Sequence, residues 1–328
     1  MKITMAHGSG GRATGELIEQ IFAKNFNNEV LDKMEDSAVV AGNKKIAVTT
    51  DSFVVDPIEF PGGDIGRLCV CGTVNDLLMR GAKPQYLTCG FILQEGADTE
   101  VIRRIVESMA ETAREAGVQI VAGDTKVVEG NGGMYINTAG VGFVEEDVEI
   151  SAQQCTPGDV VIISGNMGDH HATILGCRMG IENTIKSDNA PLNEMVNALL
   201  TNKIKVHTLR DITRGGLATV LKELAQTSKC TIRLKEDSIP VSPQVRDFCG
   251  LLGLEPYYMG NEGKMVAIVA KEDAAKALEL IRSSRYGQDA AIIGEVTDEE
   301  AGELWMETAI GGIRSLEILQ GEGLPRIC

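Results

Sequence analysis

Thr156-Pro157-Gly158-Asp159 runs directly into Val160-Val161-Ile162-Ile163-Ser164-Gly165. The first four residues form a turn, with proline and glycine supplying the bend, and the apolar run after them reads as a buried strand. This stretch decides the fold, because strands and helices have already alternated once before it and begin to alternate again here. The 328-residue chain is therefore read as two α/β halves of about 150 residues, each long enough to bury its own core. The expected boundaries are 1–152 and 153–318, with 319–328 as a tail. No internal repeat and no low-complexity segment is visible.

Before the restart, Lys45–Asp51 reads as a short strand ending on a carboxylate, and residues 86–93, 119–124 and 135–144 read as further strands. Apolar residues at 17, 18, 21, 22 and 26 have a helical period. The clearest helix covers 98–118, with apolar positions 101, 102, 105, 106, 109, 110 and 113. Asp98 or Thr99 can cap its start and Gly117 can end it. After the restart, helices are expected near 169–177, 192–200, 215–227 and 272–284. Strands are expected at 265–270 and near 290–296 and 304–308.

Formal net charge is −16, which disfavours nucleic acid and anionic membranes as partners, since both reward Lys and Arg. No apolar run approaches the ~20 residues of a membrane span, and Met1–Gly11 lacks the apolar core of a secretory signal. A cytoplasmic location is expected. The eight cysteines are scattered without a C-x-x-C, so a disulfide framework is not expected. Cys69 and Cys71 lie in an apolar stretch without a neighbouring histidine and read as core residues rather than metal ligands.

Four carboxylates close apolar strands or enter flexible turns: Asp36, Asp51, Asp76 and Asp124. An ionised carboxylate there needs water, a partner or a cation. Converging oxygens suit Mg²⁺, and Mg²⁺ commonly accompanies a nucleoside triphosphate. Lys126, two residues beyond Asp124, can neutralise phosphate or orient a reacting group, or is simply a surface lysine. His7–Arg12 is glycine-rich, and backbone N–H groups around Gly8, Gly10 and Gly11 can wrap phosphate. Neither a dinucleotide fingerprint nor a Walker pattern is present. Asp211 precedes a Gly-Gly turn into a helix. Glu262, held between glycines just before a strand, is a candidate base. His170 and His171 read as loop residues rather than metal ligands.

Together, Val48–Val55, Gly72–Ala82, Ala122–Gly130, Asp211–Leu217 and Gly260–Lys264 resemble the ATP-binding superfamily of aminoimidazole ribonucleotide (AIR) synthetase. His7–Arg12 and Pro325–Cys328 narrow the resemblance to HypE, the carbamoyl dehydratases of [NiFe]-hydrogenase maturation. It covers essentially the whole chain. It implies a two-domain AIR synthetase-like fold: a first domain that dimerises into a shared β-barrel, a second α/β sandwich domain, and a mobile tail. By motif position, Asp36, Asp51, Asp76 and Asp124 would hold Mg²⁺-ATP, helped by Asp211 and the glycine arm. Cys328 would carry a carbamoyl group loaded by the carbamoyltransferase HypF. ATP-driven dehydration, with Glu262 as base and Lys126 positioning or activating the group, would leave a thiocyanate whose cyanide passes to an iron on a HypC–HypD scaffold. His171 departs from the family pattern, which carries a small residue after Gly168-Asp169-His170. The competing readings are a superfamily kinase or synthase acting on a free small molecule, and a non-enzymatic cysteine carrier.

Overall fold

The computed structural model describes residues 2–8, 12–31 and 40–319. The first half begins with α1 (Arg12–Leu17), which widens into a π-helical stretch and narrows again as α2 (Lys24–Phe26). There follow β1 (Ile46–Phe53), the small ribbon β2 (Glu59–Phe60) and β3 (Gly63–Asp64), α3 (Ile65–Leu78), β4 (Lys83–Gln94), α4 (Thr99–Ala116), β5 (Gln119–Val128) and β6 (Met134–Phe143). Four strands form one sheet in the order β1-β6-β4-β5. Only β4 and β5 run parallel, as a strand pair joined through a helix must allow.

The expected cap on α4 is Asp98, whose carboxylate accepts the Glu100 N–H at 3.0 Å, and Gly117 ends the helix at φ +68°. Residues 65–78, which show no helical period in the sequence, form a helix buried on nearly every side. Its apolar residues are spread around the helix, and Thr73 and Asn75 are buried among them, so no single face stands out as a period. Asp64 caps it, accepting the Arg67 N–H at 2.9 Å. Cys69 and Cys71 are 0% exposed within it, as core residues.

The second half contains β7 (Val160–Ile163), α5 (Asp169–Met179), α6 (Asn193–Thr201), β8 (Val206–Asp211), α7 (Gly216–Ser228), β9 (Thr231–Lys235), α8 (Pro243–Leu252), β10 (Met265–Val269), α9 (Ala274–Ser283), β11 (Ala291–Thr297), β12 (Leu304–Glu307) and β13 (Ile313–Ser315). Its seven strands follow the order β13-β12-β9-β11-β7-β10-β8, and β12 with β9 is the parallel pair. The sequence reading places no element over β8, β9, β13 or α8, although Ser242, Pro243 and Gly253 are start and stop signals for α8.

Helix α3 joins the halves. Asn75, only 3% exposed, donates through Nδ2 to the Ala190 carbonyl at 3.1 Å and accepts the Leu192 N–H at 3.0 Å. Arg67 adds a bond from Nε to the Asn189 carbonyl at 2.9 Å. The main core continues across this junction, from Ile102 and Val106 of α4 to Leu192 and Val196. Among the described residues nothing covers the opposite face of the first sheet, which carries Ile46, Val48, Ile92 and Val128 at 53, 66, 42 and 39% exposure. No helix among the described residues is long and apolar enough to cross a membrane.

Replacing Asn75 by Ala strands a buried carbonyl and a buried N–H at once. Asn75→Ala is expected to lower unfolding free energy by about 3 kcal/mol, read as a drop in the urea midpoint with m unchanged.

Candidate active site

The seam between the halves opens into a cleft of about 440 Å³. Asp51 reaches it from β1, Asp76 from α3, Asp211 from the end of β8, and Glu262 from the loop before β10. Each is brought there by an identifiable constraint. Asp76 follows Asn75, so the clamp that joins the halves also aims Asp76, whose Oδ2 accepts the Thr49 hydroxyl at 2.8 Å. Asp211 ends a strand beside a turn in which Gly215 and Gly216 take φ of +81° and +65°. A side chain on Gly216 would come within 2.5 Å of the Tyr257 carbonyl oxygen, so only glycine lets α7 start there.

Glu262 is held by its neighbours on both sides. Asn261, 0% exposed, accepts the Gly168 N–H at 2.8 Å and donates from Nδ2 to the Ile212 and Met259 carbonyls, each at 3.2 Å. The Glu262 N–H donates to Asp188 Oδ1 at 3.1 Å.

The carboxyl groups raise one another's proton affinity. Burial and the nearby Asp76 push Asp51 up, while the Ser52 N–H and Arg214 oppose this. Burial raises Asp76 against the Thr49 hydroxyl, Arg210 and Arg214. Asp211 is pushed up to about 6 by burial, then by Asp76 and Asp51. Glu262 is pushed well above the ordinary carboxylate range by burial, with Asp188, Asp211 and Asp51 adding to it. The same cleft holds Arg80, Arg210 and Arg214 on its walls. Arg210 lies 3.5 Å from Glu223. Arg80 and Arg214 lie inside the family-like motifs and Arg210 directly before one, but nothing local in the sequence marks them as facing the carboxylates. They suit an anionic ligand with several phosphate oxygens.

Asp124 and Lys126 lie elsewhere. They pair with each other at 3.2 Å on exposed β5. Through the register Asp124–Gly90–Asn137–Ser52 they share the uncovered face of the sheet, whereas Asp51 aligns with the buried Thr138 and Cys89 on the helix-covered face. Three strand spacings, ~14 Å, separate Asp124 from β1. The backbone turn Met5–Gly8 packs beside β5, so Gly8 belongs to that edge as well. Gly10, Gly11, Asp36 and Cys328 lie outside the described residues.

His170 and His171 are buried, which pushes them down to about 3 and about 4. His170 Nδ1 pairs with Ser187 Oγ at 2.8 Å, and the His171 N–H donates to the Gly260 carbonyl at 3.1 Å. As neutral rings they brace the loops around Glu262. The donors facing the cleft are carboxylate oxygens without thiolate or imidazole, a set suited to a hard cation such as Mg²⁺. Among the described residues no three potential ligands meet at one point. The donors would thus hold Mg²⁺ with one or two carboxylates, and phosphate oxygens would supply the remaining ligands.

Residues 34–144 match the family model for the N-terminal domain of AIR synthase related proteins, and residues 156–307 match that for their C-terminal domain. The chain is 49% identical to the carbamoyl dehydratase HypE of Azotobacter vinelandii, over 99% of this chain and 97% of that protein. It is 44% identical to HypE of Escherichia coli K12, over 99% of each. A crystal structure of the hydrogenase maturation protein HypE in complex with ATP superposes with a TM-score of 0.95 at 47% identity, covering 99% of both chains. A thiamine-monophosphate kinase from Stenotrophomonas maltophilia, at TM-score 0.69 and 18% identity, shares the fold alone. The fold is that of the AIR synthase related proteins. Within that class the chain belongs to the HypE family, the carbamoyl dehydratases of hydrogenase maturation, and is an enzyme.

Asp211 gives a test of the electrostatics. Its folded-state pKa lies above the ordinary 3.8, so its contribution to stability is complete below that value and is lost as pH rises through about 6. Without nucleotide or divalent cation, Asp211→Asn should raise stability by roughly 1–2 kcal/mol near pH 8 and by nothing near pH 4, read from thermal midpoints.

Proposed function

We propose that this enzyme dehydrates an S-carbamoyl group on its own Cys328 to a thiocyanate, consuming ATP with Mg²⁺ and releasing ADP and phosphate, to supply the cyanide ligand of a [NiFe]-hydrogenase iron. The observation that carries this is the anchoring of residues 317–319 beside the cleft. Leu319 donates its N–H to Thr219 Oγ1 at 3.2 Å. Thr219 packs on Gly215, the residue after Arg214 on the cleft wall. Lys222, 3% exposed in its side chain, holds Glu317 at 3.3 Å, and Tyr258 Oη donates to the Glu317 carbonyl at 3.0 Å. From this root the nine residues to Cys328 span at most ~30 Å, enough for the thiol to enter the cleft.

Oxide cannot leave an amide carbon, so the reaction needs a better leaving group. The carbamoyl oxygen attacks the γ-phosphorus of ATP, ADP departs, and one N–H proton is lost. Loss of the second N–H proton forms C≡N as the C–O bond breaks and phosphate leaves with the oxygen. Arg80, Arg210 and Arg214 would stabilise charge on the transferring phosphoryl group. Mg²⁺, when held by Asp51 and Asp76 with Asp211 near, would neutralise phosphate charge. Glu262 would accept the second of these protons, the one whose loss forms C≡N, while the first passes to solvent. Its raised proton affinity makes it a strong acceptor once ionised.

A homodimer through the first domains would cover the uncovered sheet face and close the two sheets into a shared barrel. Two incomplete groups of residues at opposite edges of one sheet support it: Asp51 near the β1 edge, and Gly8, Asp124 and Lys126 at the β5 edge. Asp124 and Lys126 would then act where two sheets meet, with Asp36 and the Gly8–Gly11 arm completing the nucleotide site. A crystal structure of a HypE–HypF complex matches at TM-score 0.80 and 46% identity, over 92% of this chain and 99% of that one. That supports HypF as the transferase that loads Cys328. A HypC–HypD scaffold as cyanide acceptor and a cytoplasmic location complete the proposal.

Cys328→Ala should abolish thiocyanate formation, followed by mass spectrometry of the 320–328 peptide, with ATP affinity unchanged. Thiocyanate appearing at the normal rate on another residue would overturn the assignment. Glu262→Gln should slow dehydration by about 10²–10³-fold with little change in ATP affinity by calorimetry; a parallel fall in both would make Glu262 a binding residue.

A further inference from the structure

We propose that Asp188 is the positioning residue for Glu262, holding the proton acceptor in place from the side of the protein opposite the cleft. The inference rests on the reading of Glu262 as that acceptor. Asp188 lies in the segment between α5 and α6, with its side chain 3% exposed. Its Oδ1 accepts the Glu262 N–H at 3.1 Å, and two residues on, the Ala190 N–H donates to the Glu262 carbonyl at 3.4 Å. Both backbone polar groups of Glu262 are therefore held by one three-residue stretch. The fit between the two segments is tight. A Cβ on Gly263 would lie 1.9 Å from the Asp188 carbonyl oxygen, so glycine after Glu262 is required by that contact.

The second oxygen of Asp188 has a different status. Oδ2 is buried and makes no hydrogen bond within the described residues, and the Lys264 ammonium stands 4.0 Å away. A buried carboxylate satisfied on one oxygen alone is a costly way to hold a loop, since a neutral amide would supply the same acceptor. Behind it a second cavity of about 430 Å³ opens, reached by Asp188, Asn189, Lys264 and Arg285. Asp188 is thus the wall between that cavity and the Glu262 backbone.

Its segment is also the one that Asn75 grips through the Ala190 carbonyl and the Leu192 N–H. A continuous path of hydrogen bonds therefore runs from α3, which carries Asp76, through residues 188–192 to Glu262. Without Asp188 Oδ1 the Glu262 loop retains the Asn261 anchors and the Ala190 N–H at its carbonyl but loses the bond from the Glu262 peptide N–H. A displacement near 1 Å at a reacting group costs on the order of 10²-fold in rate. It leaves the binding of nucleotide, which uses other residues, largely intact.

The test uses full-length protein loaded at Cys328 by the transferase with carbamoyl phosphate. Water loss is followed by mass spectrometry in a single turnover with ATP, and ATP affinity is measured by calorimetry. Asp188→Ala should slow dehydration about 30-fold with ATP affinity within about twofold. Asp188→Asn retains the acceptor oxygen and should recover to within about threefold of the unaltered rate. Should Asp188→Ala not fold, Asp188→Ser, which lacks the carboxylate reach, takes its place with the same expectation. A rate in Asp188→Ala equal to the unaltered one, a loss of ATP affinity matching the loss of rate, or an Asp188→Asn as slow as Asp188→Ala would each overturn the proposal. Glu262→Gln run in parallel separates the two levels: if it dehydrates at the unaltered rate, the reading of Glu262 falls and this inference falls with it. If Glu262→Gln is slow while Asp188→Ala is not, the reading stands and the inference alone fails.

Discussion

One carboxamide, that of Asn75, holds this architecture together. Its nitrogen and oxygen bind the two halves across a buried seam, at Ala190 and Leu192. In a dry interface an amide must satisfy both ends, and only one relative placement of the halves does so. That placement sets the cleft. Asp76 follows Asn75 in the helix, and the segment that receives Asn75 also touches the backbone of Glu262. The two chemically distinct walls of the site are thus linked through Asn75, with Arg67 reinforcing the same segment.

The contents of the cleft follow from this closure. Bringing Asp51, Asp76, Asp211 and Glu262 into one partly buried space raises their proton affinity, because each loses water and meets like charge. Gathering these carboxylates is electrostatically unfavourable in itself, and Arg80, Arg210 and Arg214 relieve it incompletely. Such a site favours a ligand that brings both cation and anion, with the cation facing carboxylates and the anion facing arginines. Stability sacrificed there is returned when the ligand binds.

The split of the expected site between two edges of one sheet has a geometric origin. A strand alternates its side chains, so a one-residue difference in register sends Asp51 to the helix-covered face and Asp124 to the uncovered one. Sequence motifs carry no record of which face a residue takes relative to a residue three strands away. Asp124 and Lys126 looked like neighbours of the other carboxylates in the motif set, and within a single chain they are not.

Much of the molecule was legible in the sequence. The restart at Thr156–Asp159, the capped helix after Asp98, the alternating strands and the motif residues are local signals, written by turn chemistry, capping and periodicity, and they determined the class of fold and the family. Helix α8 also carries local signals, in Ser242, Pro243 and Gly253. Helix α3 was not legible: a segment buried all round carries no period. Only the tertiary structure decided that Asn75 is a clamp, that three arginines face the carboxylates, that His170 and His171 are neutral braces, and that Asp188 stands behind Glu262. Each of these is a relation between residues far apart in the chain. Their meaning lies in burial and hydrogen bonding that exist only once the two halves have closed on each other.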